Sequence, residues 1–241
     1  MARFVLVHGA CHGGWCWEKV VPLLIGMGHQ AAAPDLPGMG DDPTPQRQVT
    51  LALWADFVAD IARNGRELAV LVGHSRGGTV ISEAAERVPE HVLGLVYLTA
   101  ALLPPGRPIM EALEGGTSSL TETATIDQEG IAMTLDPATA RDAFYGHCDP
   151  ADADRALARL CSEPLAPNTV PLTVTAARWG RVKRAYIECL DDRALTIETQ
   201  RRMQAALPCD PVVSIDTDHS PFLSTPRQLA EHLVAIAAGW R

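Results

Sequence analysis

The chain has 241 residues, 47% of them hydrophobic and 20% charged, with a net charge of −9. That length suits one α/β domain with room for an insertion, and the acidic balance, with no basic cluster, excludes a phosphate-binding surface for nucleic acid. No apolar run approaches the roughly 20 residues that span a bilayer, so no membrane partner is expected.

The first apolar strand begins at Arg3, which leaves no room for a signal peptide and points to a cytoplasmic protein. The six cysteines (11, 16, 148, 161, 189 and 209) show no C-x-x-C pair and no zinc spacing. They read as reduced, mostly buried thiols, with a Cys148–Cys161 bridge left open.

Arg3 to Val7 is a strand. His8-Gly9-Ala10-Cys11-His12-Gly13-Gly14 follows as a glycine-rich turn, and Trp15-Cys16-Trp17 opens a helix carrying Val20, Val21, Leu24 and Ile25. Residues 30–34 form the next strand. Residues 51–63 are helical by period, with Leu53, Trp54, Phe57, Val58 and Ile61 on one face, ended by Asn64-Gly65. Residues 68–72 are an apolar strand, and Val80, Ile81, Ala84, Ala85 and Val88 mark the helix after it. Residues 92–99 are again a strand. Such alternation predicts a parallel, doubly wound sheet.

The alternation breaks between about 102 and 180, where prolines 104, 105, 108, 137, 150, 164, 167 and 171 punctuate the chain. Short helices are predicted over 138–145 and 151–162, and no clean strand. A structureless loop of that length is foreign to a compact core, so residues 103–180 read as an inserted, mainly helical cap, with residues 1–102 and 181–241 as the core. Regular order returns with a strand at 184–190, a helix at 195–207, a strand at 211–215 and a last helix at 226–238.

Between the strand at 68–72 and its helix stands Gly73-His74-Ser75-Arg76-Gly77, which fits the G-x-S-x-G nucleophile elbow in the strand–turn–helix context that motif requires. Ser75 is the expected nucleophile. The glycines leave room where a side chain would strike the neighbouring strand or helix. The N–H of Arg76, at the head of the helix, can donate to an oxyanion, and the His8–Gly9 loop offers a second donor, assigned to the N–H of Ala10. His8 and His12 are expected to be structural. A serine nucleophile also needs a base and an acid that orients it, in the chain order Ser, Asp/Glu, His. The strand at 184–190 ends in Asp191-Asp192, and the strand at 211–215 leads into Asp216-Thr217-Asp218-His219. His219 is the expected base. Adjacent strand-end residues point to opposite sides, so one of the two aspartates faces it.

Through these residues the chain resembles the plant methylesterase and hydroxynitrile lyase branch of the α/β-hydrolases and its bacterial carboxylesterase relatives. The likeness rests on residues 4–17, on Pro34-Asp35-Leu36-Pro37-Gly38-Met39-Gly40, on the elbow, on residues 182–189 and on Asp218-His219. It implies a mainly parallel six-stranded core with a helical lid, no cofactor, oxyanion donors at Ala10 and Arg76, and Ser75, Asp192 and His219 as triad. The similarity through Tyr186–Cys189 selects Asp192 over Asp191. The expected activity is hydrolysis of small to medium apolar or aromatic carboxylic esters through an acyl-enzyme. Lactone or thioester hydrolysis, or a biosynthetic tailoring step, is the alternative. A hydroxynitrile lyase is disfavoured, because the chain has Gly9 and Ser220 where those lyases commonly carry threonine and lysine. A non-catalytic binding protein is disfavoured because no triad member is missing. The expected partner is a small-molecule ester, and a homodimer is left open.

Two features bear on substrate. Met110, Leu113, Met133, Phe144, Tyr145 and Trp179 are the candidate cap residues for an apolar pocket. Arg76 departs from the family, which usually has an apolar residue or cysteine after the nucleophile. Its guanidinium needs a partner if buried. Either it pairs with a scaffold acid, Asp191 or Glu83, or it reaches the pocket and holds a carboxylate of the substrate.

Overall fold

Along the first strand, β1 (Arg3–Val7), Phe4 and Leu6 enter one apolar core while Val5 and Val7 enter another. The strand period of two divides its side chains between the two faces of the sheet. The computed structural model describes residues 1–110 and 123–241. In it β1 pairs in parallel with β2 (Gln30–Ala32) on one side and β3 (Ala69–His74) on the other. Outward from β3 lies β4 (Val92–Leu98).

Between β4 and the next strand of the main sheet come β5 (Thr125–Ile126), β6 (Ala132–Thr134) and β7 (Glu163–Pro164), and the main sheet resumes with β8 (Arg184–Cys189) and β9 (Val212–Ile215). The main sheet has six strands, all parallel, in the order β2-β1-β3-β4-β8-β9. Every residue of β3 is buried, as a central strand covered on both faces demands.

Helices α1 (Val20–Gly26), α2 (Leu51–Arg63) and α3 (Gly77–Arg87) follow the first three strands. Trp54, Val58, Val80 and Ile81, from α2 and α3, fill the core that receives Val5 and Val7. Thr50 caps α2, its side chain accepting from the N–H of Leu53 at 3.0 Å.

In the insertion, α4 (Pro137–Phe144) and α5 (Pro150–Leu157) each begin at a proline that follows an aspartate. The carboxylates of Asp136 and Asp149 accept from the freed N–H groups of the first turn, while proline has no N–H to lose there. A short α6 (Ala166–Thr169) follows. Later in the chain come α7 (Ile197–Ala206), α8 (Pro221–Ser224) and α9 (Pro226–Gly239). Leu229 and Leu233 of α9 join Val20 and Leu24 of α1 against Phe4 and Leu6.

Between β4 and β8 the described residues differ from the sequence expectation of no clean strand. The helices there are accompanied by a three-stranded antiparallel sheet, β5-β6-β7. Strands of two or three residues are too short to display a period of two, so nothing in the sequence marks them.

Candidate active site

The carboxyl ends of β3, β4, β8 and β9, with the loop after β1, bring the chemistry together. Ser75 follows β3 with φ of 52°, a left-handed conformation that a serine adopts at some strain. Its backbone is held by its own N–H donating to the carbonyl of Leu98 at 3.2 Å and by the N–H of Ala101 donating to its carbonyl at 2.9 Å. The flanking glycines are sterically required. A Cβ on Gly73 would stand 2.6 Å from the carbonyl oxygen of Gly77, and one on Gly77 would stand 2.9 Å from those of Val7 and His8. The elbow is therefore pressed against β1.

His219 lies on the loop after β9, buried, with Nδ1 2.6 Å from Oδ2 of Asp192. Asp192, after β8, is also buried. Its Oδ1 accepts from the N–H groups of Ala194 and Leu195 at 2.8 and 2.7 Å, and its Oδ2 accepts from the hydroxyl of Thr99. With only donors around it, the carboxylate takes the Nδ1 proton of His219 as a further hydrogen bond and leaves Nε2 unprotonated. Asp191 points the other way, its Oδ2 at 2.6 Å from Nε2 of the exposed His147. Thr99 was missed in the sequence. It follows β4 with φ of 35°, and a hydroxyl residue just past the carboxyl end of a central strand was the one signal available.

The backbone N–H groups of Ala10 and Arg76 donate to no acceptor among the described residues. Both residues line one cavity of about 230 Å³ together with Ser75 and His219. Its remaining lining is almost wholly apolar, including Met110, Met133, Leu135 and Phe144. The ring of Phe144 stacks on that of His219, centroids 5.3 Å apart at 24°. Two other cap candidates lie elsewhere. Trp179 packs in the core beneath the sheet, its Nε1–H donating to the hydroxyl of Tyr97 at 3.0 Å and its ring under the Arg184 guanidinium. Tyr145 turns away from the cavity to His12. Helix and loop side chains of similar character point wherever the backbone aims them, which composition cannot reveal. Leu113 lies outside the described residues.

Three further histidines surround the site as neutral groups. Nδ1 of His12 donates to the carbonyl of Ala10 at 2.7 Å, and Nε2 of His74 donates to the carbonyl of His219 at 2.8 Å. Nε2 of His8 accepts from the N–H of Leu36 at 3.1 Å. Burial is the main cause that pulls His12 down to about 4 and holds His8 and His74 well below the ordinary histidine value.

The side chain of Arg76 corrects the sequence expectation about its partner. Neither Asp191 nor Glu83 takes it. Glu83 is engaged by Arg87 and Thr173. Arg76 instead donates from Nε to Oε1 of Glu163 at 2.9 Å and from Nη2 to the carbonyl of Gly9 at 2.9 Å, while its guanidinium lies over the Trp54 ring, 4.1 Å from the centroid. It is spoken for by the scaffold, and no substrate carboxylate is needed to neutralise it.

A six-stranded parallel sheet, a strained serine between two obligatory glycines and a buried aspartate–histidine pair over one cavity define the class. The chain belongs to the α/β-hydrolase family, whose model matches residues 4–232, and it sits among that family's carboxylic ester hydrolases. It is 35% identical to Esterase PIR7B of Oryza sativa subsp. japonica, covering 98% of this chain and 95% of that one. It is 34% identical to Pyrethroid hydrolase of Sphingobium wenxiniae, covering 97% and 86%. It spans a smaller share, 64%, of Putative methylesterase 11, chloroplastic, of Arabidopsis thaliana. The solved structure of tomato Methylketone Synthase I complexed with 2-tridecanone superposes with a TM-score of 0.91 at 27% identity, covering 100% of this chain and 99% of that one. No described helix is long and apolar enough to cross a membrane.

Proposed function

We propose that Ser75, His219 and Asp192 form a catalytic triad that hydrolyses neutral esters of small to medium apolar or aromatic molecules. The observation that carries this reading is the 2.6 Å contact between His219 Nδ1 and Asp192 Oδ2, in a cavity that His219 shares with the strained Ser75. In the proposed cycle Nε2 of His219 removes the hydroxyl proton of Ser75 as its oxygen attacks the ester carbonyl. The oxyanion is received by the N–H groups of Ala10 and Arg76. Collapse transfers the proton from His219 to the leaving alcohol and leaves an acyl-enzyme. Water, deprotonated by His219, then releases the acid and frees Ser75.

The apolar lining and the pairing of Arg76 with Glu163 favour substrates without a charged group. The 2-tridecanone in the Methylketone Synthase I structure, a long apolar ketone, is in keeping with such a pocket. We place the protein in the cytoplasm, in keeping with six free cysteines.

A fluorophosphonate label and a panel of aryl esters test the reading together. The label should attach to Ser75, and Ser75→Ala should abolish labelling and lower kcat by at least about 10³. Neutral butyrate and benzoate esters should exceed short dianionic esters in kcat/KM by about 100-fold or more. Hydrolysis by Ser75→Ala within tenfold of the parent would refute the nucleophile. A dianionic ester as best substrate would refute the substrate class.

A further inference from the structure

The loop that offers the Ala10 N–H is held by Arg76 of the core, at the Gly9 carbonyl, and by side chains of Glu163 and Tyr145 from the chain between β4 and β8. Cys11, the next residue, has φ of 61°, a conformation that needs outside support. Its N–H donates to Oε2 of Glu163 at 2.9 Å, and its carbonyl accepts from the N–H of Cys161 at 2.9 Å. The segment entering β7 thus grips this one residue from both sides. Glu163 is itself fixed, since Oε1 accepts from Arg76 and from Nδ2 of Asn168 at 3.2 Å.

A second grip comes from the end of α4. The carbonyl of Ala10 accepts from Nδ1 of His12, so Nε2 of that neutral ring must accept, and it does so from the hydroxyl of Tyr145 at 2.8 Å. One link runs Glu163 to Cys11, the other Tyr145 to His12 to the Ala10 carbonyl. Both links hold the Ala10–Cys11 peptide, one at its N–H and one at its carbonyl, while the Gly9–Ala10 peptide that carries the Ala10 N–H is held at the Gly9 carbonyl by Nη2 of Arg76, itself fixed by Glu163; together these contacts set the direction of the Ala10 N–H.

We propose that Glu163 and Tyr145 are positioning residues for the oxyanion hole, so that the insertion sets the rate of the chemical step as well as lining the substrate pocket. The inference rests on the reading of Ala10 as an oxyanion donor. It differs from a packing role in what it affects. Misaligning a donor weakens binding of the oxyanion and leaves the ground-state ester untouched.

The test uses Tyr145→Phe, which removes one hydroxyl and no ring, and the charge-neutral Arg76→Met/Glu163→Leu, which keeps the backbone donor of Arg76. For each, kcat and KM are measured on an aryl butyrate. Inhibition is measured with an aryl trifluoromethyl ketone, whose carbonyl carbon adds Ser75 to give an oxyanion, and with the matching methyl ketone, which binds without adding. Each variant should lose about tenfold in kcat and a similar factor in trifluoromethyl ketone affinity, with KM and methyl ketone affinity within twofold. Unchanged kcat, or a loss confined to KM and methyl ketone affinity, would overturn the proposal. If the double variant does not fold, Tyr145→Phe decides alone. Failure here with Ser75 labelled as expected removes the positioning role only, whereas unlabelled Ser75 removes the catalytic reading beneath it.

Discussion

Arg76 and Glu163 form an ion pair of 2.9 Å with side chains only 3% and 0% exposed, joining the residue after Ser75 to strand β7, 87 positions along the chain. Two charges taken so far out of water are held by one another, by the Gly9 carbonyl, the Trp54 ring, the Cys11 N–H and Asn168, and Nη1 of Arg76 has no hydrogen-bond partner among the described residues. The pair is therefore asymmetric in its consequences. Its net contribution is small, but each half strands the other.

Arg76→Met or Glu163→Leu alone should lower the unfolding free energy by about 3–5 kcal/mol, and the double variant by far less. Urea unfolding of the four proteins in a double-mutant cycle measures this. Single losses that simply add in the double variant would show that the charges do not depend on each other.

The split between neighbouring aspartates gives a kinetic expectation. Asp192→Asn keeps most of the shape but offers an amide that cannot fix the Nδ1–H form of His219, and kcat should fall by about 10³–10⁴. Asp191→Asn, whose side chain pairs with His147 at the surface, should stay within threefold. A larger loss for Asp191→Asn would reverse the assignment. Thr99→Val, which deletes a donor to the same carboxylate, should fall between the two.

Stability should fall in mild acid. In the unfolded chain His8, His12 and His74 take up protons near pH 6.5. In the folded protein burial keeps them neutral, in the case of His12 until about 4. The unfolded state thus binds more protons between those limits, and folding weakens as pH falls from 6.5 toward 4. His12 alone accounts for about 3 kcal/mol over that window. The urea midpoint should drop between pH 7 and pH 5, where few carboxylates titrate, and His12→Asn should flatten the slope. An equal midpoint at both pH values would contradict it.

Much of the molecule is determined by the sequence alone. The buried run before Gly73 and the amphipathic helix after Gly77 can form only a strand–turn–helix, because backbone sterics and hydrophobic period act over a few neighbours. The same local logic puts Asp191-Asp192 and His219 at strand ends, and parallel packing then brings those ends to one edge of the sheet. Tertiary structure alone decided the rest. Glu163, not Asp191 or Glu83, meets Arg76, because a two-residue strand carries no period to announce it and its partner is chosen by how the insertion folds over the loop after β1. Tyr145 turns from the cavity while Phe144 faces it, since neighbouring positions on a helix end point in different directions, and Trp179 packs beneath the sheet against Tyr97. Which hydroxyl reaches Asp192 was likewise settled when β4 and β8 came side by side, placing Thr99 against a carboxylate 93 residues away.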